Sequence, residues 1–257
     1  MDLKTIAVAD TGPVRTITLN RPARRNAMTP EMQVELTEVF EEAATSSARV
    51  VVLSGAGGAF CSGLDLAVLR EMQDASPADH HAEAERVARL FLALHDLPMP
   101  TIAAVQGPAI AGGCGLAIIC DFTVAASDAT FGFTEVRIGF IPAVVSVFLA
   151  LHVGEKISRD LLLTGRIVNA EEALRLGLVT SVVAPDEFAG RVGALAETLA
   201  ANSPQSLAAT KRLLNERRKP HLDSAILGAI DAYTEARSNP DLGEGLAAFI
   251  EKRKPKW

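Results

Sequence analysis

The chain has 257 residues, with 25 lysines and arginines against 31 aspartates and glutamates, for a formal net charge of −6. That balance excludes the dense basic surface on which nucleic-acid affinity rests, and 49% hydrophobic against 22% charged residues excludes a disordered chain. The length suits one large domain, or a main domain with a smaller appendage, whose core must be aliphatic because only 5% of residues are aromatic.

Cys61, Cys114 and Cys120 form no C-x-x-C pair. An odd set without a secretory segment points to a reducing interior, with no disulfide framework and no metal site. Met1-Asp2-Leu3-Lys4 lacks the basic-then-apolar pattern of a signal peptide, so a cytoplasmic protein is expected. The stretch from Leu97 to Cys120 carries no charge and is long enough to span a bilayer. Pro98, Pro100, Gly107, Pro108, Gly112, Gly113 and Gly115 break it, so a short buried strand, a turn and a buried helix explain it better, and no membrane association is expected.

In chain order, Asp10-Thr11-Gly12-Pro13 is a turn signal ahead of alternating residues from Val14 to Leu19, which predicts an opening hairpin. Thr29-Pro30-Glu31 supplies an N-cap, a proline at the first helical position and an acid in the first turn. Met32, Leu36, Val39, Phe40 and Ala43 follow at helical spacing, an amphipathic helix. Val50 to Leu53 is all apolar, as in a strand buried on both faces. The polar stretch 74–86, with His80 and His81, reads as a mobile lid carrying surface histidines.

The unit of strand, glycine loop and helix then repeats: a strand at Thr101 to Val105, a turn at Gly107-Pro108, and a helix opening near Gly113 and ending near Asp121. Phe122 to Ala126 is another strand. Asn169 and Glu172 form a capping-box-like start to a helix that stops at Gly177. From about Asp186 the chain turns mainly helical, and Ser203-Pro204 and Asn239-Pro240 each read as a cap followed by proline. Arg217-Arg218-Lys219 and Lys252-Arg253-Lys254 read as solvated helix ends.

Gly55-Ala56-Gly57-Gly58-Ala59-Phe60 invites a nucleotide-binding reading but fails it. Phe60 stands where the dinucleotide fingerprint needs glycine, and no Gly-Lys-Ser/Thr follows. A Gly-x-Ser-x-Gly nucleophile elbow is also missing. What remains are two glycine loops after buried strands, Phe60-Cys61-Ser62-Gly63-Leu64-Asp65 and Ala111-Gly112-Gly113-Cys114-Gly115. Either these glycines only turn the chain, or their free N–H groups converge as an oxyanion hole, with the N-terminus of the helix near Gly113 adding positive potential.

Those loops, together with Ala103-Ala104-Val105-Gln106-Gly107-Pro108, Cys120-Asp121-Phe122 and the run Phe131-Gly132-Phe133-Thr134-Glu135-Val136-Arg137-Ile138-Gly139-Phe140-Ile141-Pro142, resemble successive blocks of the crotonase superfamily, the enoyl-CoA hydratase/isomerase family. Leu161-Leu162-Leu163-Thr164-Gly165-Arg166, the segment from Glu172 to Val179 and the closing Phe249-Ile250-Glu251-Lys252-Arg253 extend the resemblance over nearly the whole chain.

The resemblance implies an α/β fold, a ββα spiral core over 1–190 and a helical trimerisation region over 191–257, assembling as homotrimers or homohexamers. It implies acyl-CoA thioester substrates, coenzyme A arriving as part of the substrate with no separate cofactor. It places the two oxyanion N–H groups on Leu64 and Gly112. Arg24, Arg25 and Ala27 fall in the segment that lines the CoA entrance, and Phe249 and Lys252 match residues that cover the CoA of a neighbouring subunit.

Many hydratases of this family carry two glutamates; here the first position is Gly115, and Glu135 matches the second. In an apolar pocket burial raises a carboxyl pKa toward neutrality, which suits proton exchange. The competing reading has Glu135 capping a turn or pairing with Arg137. Three functions follow. Enoyl-CoA hydration is the principal one, with Glu135 serving both proton steps or a water occupying the space above Gly115. Δ3,Δ2-enoyl-CoA isomerisation needs only one carboxylate, and a non-catalytic acyl-CoA binding protein would explain the missing acid. RNA binding would need a basic groove, which the net charge opposes. Asp121 reads as structural, Asp65 as shaping its loop or as a second polar group beside the oxyanion loop, and Cys61 and Cys114 as packing residues rather than nucleophiles.

Overall fold

The computed structural model describes residues 3–257. Nine strands are found among them: β1 Ile6–Thr11, β2 Val14–Leu19, β3 Val50–Gly55, β4 Thr101–Val105, β5 Ala109–Ile110, β6 Phe122–Ala126, β7 Thr130–Gly132, β8 Ile167–Asn169 and β9 Ser181–Val183. β1 and β2 form the expected antiparallel hairpin. From β2 onward the main sheet is parallel, in the order β1-β2-β3-β4-β6-β9, while β5, β7 and β8 form a second, three-stranded sheet.

Burial on both faces explains the all-apolar strands. Ile17, Leu19, Val51, Leu53, Ala103 and Val105 point to one side, into the main core. That side is covered by helices α1 Pro30–Ala43, α2 Leu66–Glu71, α3 Pro77–His95, α4 Gly112–Ile119 and α5 Ala143–Thr164. Val50, Val52, Ile102, Ala104 and Val124 point to the other side, against Ala196, Leu199 and Ala200. The short α6 Ala170–Leu176 precedes these last residues, which belong to α7 Phe188–Ala201. Helices α8 Pro204–Glu216, α9 Lys219–Arg237 and α10 Pro240–Ile250 complete the chain, with α9 against α3 and α5. The division at 190/191 therefore cuts through α7, a helix whose apolar face covers the main sheet.

The caps hold where local chemistry specified them. The side chains of Thr29, Asn169, Ser203 and Asn239 accept hydrogen bonds from Met32, Glu172, Ser206 and Asp241 N–H groups, and Gly177 closes α6 in the left-handed conformation. The uncharged stretch 97–120 resolves into β4, β5 and α4. Among the described residues no helix is long and apolar enough to cross a membrane.

The lid expected at 74–86 is instead the start of α3, opened by a reciprocal Ser76/Asp79 capping box. His80 is only 2% exposed, so it is a core residue and not a surface histidine. The polar composition hid the helical period because His80 and Glu83 themselves occupy the inward face, beside Ala84 and Val87.

Candidate active site

The two glycine loops meet. Cys61 bridges to Ala109 in parallel, and Ile110 N–H donates to the Cys61 carbonyl at 2.9 Å. Gly63 has φ +87°, and a Cβ there would lie 2.8 Å from Ala111 Cβ and 3.4 Å from Gly112 N, so only glycine lets the loops approach this closely. At Gly113 an added Cβ would fall 2.3 Å from the Cys61 carbonyl oxygen.

This contact orients two backbone donors. Met28 brackets Leu64, donating to the Gly63 carbonyl at 2.8 Å and accepting from Asp65 N–H at 3.0 Å. In such a bridge the N–H of the intervening residue faces away from the partner strand, and that of Leu64 has no acceptor among the described residues. Gly112 opens α4, where the first N–H groups lack intrahelical partners, and it too has no acceptor. Ala111 holds it there with φ 55° and ψ −129°, a rare conformation for a residue with a Cβ, fixed by donation to the Gly132 carbonyl at 2.7 Å.

Both residues line a pocket of 530 Å³. Its walls are mainly apolar, from Met28 and Leu66 through Phe91 and Phe140 to Val145. Glu135 enters from the 3-10 turn Glu135–Ile138 that follows β7. It is 8% exposed, and its Oε2 has no hydrogen-bond partner. Burial pushes its pKa up to about 7, because little compensates the ionised form for lost water. Among the described residues no ion pair joins it to Arg137, so the pairing part of the competing reading fails; both residues line the pocket.

The resemblance-based residues divide. Leu64, Gly112, Glu135, Arg25 and Phe249 line the pocket, Phe249 being 60% exposed. Arg24 lies against Asp65 at 3.4 Å, and Ala27 is buried with its carbonyl accepting from Arg21. Lys252 lies beyond α10 at φ 53°, exposed and outside the pocket wall.

The surroundings of Gly115, where the second acid is absent, are crowded. The space above Gly115 is filled: a Cβ there would lie 2.7 Å from the Phe91 ring and 2.8 Å from Val145 Cγ2. A side chain larger than glycine at this position meets both residues. Phe91 and Val145 escaped the sequence reading because nothing local links them to Gly115. Arg21 was missed for the same reason; it holds Asp65 at 3.1 Å, while Asp65 caps α2 by accepting from Ala67 N–H at 3.1 Å.

The remaining assignments agree with the packing. Asp121 accepts from Thr101 N–H at 2.8 Å and pairs with Lys211 at 2.7 Å. The three cysteines are buried and free, and burial pushes the Cys61 and Cys120 thiols up to about 12 and that of Cys114 higher still.

A pocket with two free backbone donors, an apolar floor and one protonatable carboxyl can stabilise charge on a carbonyl oxygen while moving a proton beside it. Over residues 10–257 the sequence matches the model of the family described as enoyl-CoA hydratase/isomerase. The chain belongs to that family. A Thermus thermophilus protein named provisionally as an enoyl-CoA hydratase is 43% identical over 247 residues, covering 96% of this chain and 98% of its own. A Clostridium acetobutylicum short-chain-enoyl-CoA hydratase is 33% identical over 257 residues, covering 99% and 97%. An enoyl-CoA hydratase/isomerase crystal structure from Xanthobacter autotrophicus superposes with a TM-score of 0.90 at 32% identity, covering 97% of both chains. The architecture is thus that of the crotonase fold.

Proposed function

We propose that this protein is an enoyl-CoA hydratase in which Glu135 is the single acid-base group and the Leu64 and Gly112 N–H groups hold the thioester oxygen. The observation that carries the reading is Glu135 itself, buried and unpartnered at Oε2, in the pocket that the two free donors share. The names of the Clostridium and Thermus relatives support hydration as the reaction.

In this mechanism ionised Glu135 takes a proton from water as the water oxygen bonds to C3 of the 2-enoyl thioester. The π electrons move onto the thioester oxygen, forming an enolate held by the two N–H groups. Glu135 then returns its proton to C2, completing a syn addition. A pKa near 7 suits a group that must both accept and donate. Arg25 at the mouth would meet the CoA phosphates, and Phe249 and Lys252 would cover the CoA bound by a neighbouring subunit of a homotrimer or homohexamer. Exposed Phe249, Ile250 and Trp257 near the C-terminus, and Leu213 and Leu214 on α8, suit such assembly. The three free buried thiols suit a reducing compartment such as the cytoplasm.

One observation favours a second reading. The apolar filling at Gly115 leaves one carboxyl and no polar replacement for another. Moving a double bond from the 3- to the 2-position needs one proton carried between two carbons, which Glu135 alone can do.

Crotonyl-CoA and a 3-enoyl-CoA, each followed by conjugated-thioester absorbance and product mass, separate the readings. The expected result is loss of absorbance with gain of one water from crotonyl-CoA, abolished in Glu135→Gln. Absorbance gained from the 3-enoyl substrate at constant mass, with crotonyl-CoA untouched, would establish the isomerase instead. Acyl-CoA binding without turnover of either would establish a binding protein.

A further inference from the structure

Behind the pocket wall lies a buried charged cluster that the proposed chemistry does not use. The side chain of Arg237, the last residue of α9, is 0% exposed, and Glu83 on α3, 3% exposed, faces it with Nε and Oε2 2.9 Å apart, an ion pair whose alignment is not that of a hydrogen bond. His80 and Tyr233 are buried within the same α3 and α9 segments, and burial, with the Glu83 charge adding to it, pushes the Tyr233 hydroxyl pKa up.

Arg237 also reaches across to α2. One terminal nitrogen donates to the Leu69 carbonyl at 3.2 Å and the other to the Met72 carbonyl at 3.5 Å, at the C-terminal end of that helix. A cation there satisfies carbonyls that the helix leaves open and complements its dipole.

The six residues of α2 are too few to be stable alone. Its N-terminus is fixed by Asp65, itself held by Arg21. Its C-terminus is fixed by Arg237. Leu64, the residue before the Asp65 cap, carries one of the two free N–H groups, and Leu66 and Leu69 on α2 line the pocket. Burying an Arg–Glu pair is rarely a net source of stability, since desolvation offsets the attraction.

We infer that Arg237, oriented by Glu83, is a positioning residue for the oxyanion site: it anchors the far end of α2 and so fixes where the Leu64 N–H points. The inference rests on the proposed role of the Leu64 and Gly112 N–H groups. It couples α9, in the C-terminal helical region, to the chemistry without any contact with substrate.

The test replaces both charges, Glu83→Leu with Arg237→Met. Apolar replacement of a buried pair usually leaves stability nearly unchanged, whereas removing one partner strands a charge. The double variant is therefore expected to unfold near the wild-type temperature and yet to lose about ten- to a hundred-fold in kcat, a misplaced oxyanion donor costing about that much, with KM changing less.

The decisive readout is the thioester carbonyl stretch of bound 1-13C-butyryl-CoA, an unreactive saturated probe. Wild type is expected to shift it to lower frequency, and the double variant to lose at least half of the shift. Should the double variant fold poorly, Arg237→Lys, which keeps the charge but not the forked contact to two carbonyls, is expected to show the same partial loss. Arg15→Met, which breaks ion pairs to Asp10 and Glu42 outside the pocket, serves as the stability control and is expected to keep the full shift. A full carbonyl shift with unchanged kcat in the charge-free variant, or in Arg237→Lys if that is the one that folds, would overturn the inference alone. No shift in the wild type would overturn the oxyanion reading, and this inference with it.

Discussion

Glu135→Gln tests the site through stability as well as activity. Burial raises the Glu135 pKa from 4.5 to about 7. The folded state thus prefers the neutral acid. Below pH 4.5 both folded and unfolded chains hold the proton, and burial of the charge costs nothing. Between pH 4.5 and 7 the unfolded chain ionises first, so stability falls as pH rises; above 7 the loss is complete. A shift of this size corresponds to about 3 kcal/mol. Glutamine keeps the shape without the charge. The stability of Glu135→Gln relative to wild type should therefore grow by about 3 kcal/mol between pH 4.5 and 8, read as urea midpoints at one protein concentration. Turnover should fall about 100- to 10,000-fold, and wild-type kcat/KM for hydration should rise with pH to a plateau above about 7. A stability difference that stays flat from pH 5 to 8 would refute the buried, unpaired carboxyl; full activity in the variant would refute its chemical role.

Three other outcomes are expected. Gly115→Glu should not restore a second acid: its Cβ meets Phe91 and Val145, so thermal unfolding should show a loss of about 1–3 kcal/mol and crotonyl-CoA hydration should not increase. Gly113→Ala should be more damaging, because its Cβ meets the rigid Cys61 carbonyl at 2.3 Å; a soluble variant with wild-type melting would disprove the loop contact. Native protein should leave Cys61, Cys114 and Cys120 unreacted with Ellman's reagent, all three titrating only after denaturation, since each is buried with a raised pKa.

The elements that could be read from sequence were those whose cause is local. Thr29, Ser203 and Asn239 specify helix starts through their own side chains, and the short all-apolar Val50 to Leu53, stopped by Ser54-Gly55, reads as a strand covered on both faces. Glu135 and the glycine loops stood out because their residue types repeat a known order. Composition alone misled at 74–86, where His80 and Glu83 face inward, so a helix passed for a polar lid.

What tertiary structure decided were contacts between residues far apart in the chain. Gly115 looked like a space left by a lost acid, and only the arrival of Phe91 from α3 and Val145 from α5 fills it. Arg21 and Asp65 are 44 residues apart, and Arg237 reaches Leu69 across 168. Periodicity and capping encode neighbours within a few turns of chain; which distant side chain closes a pocket or holds a short helix depends on how the helices stack on the sheet, and the sequence states that only through the folded molecule.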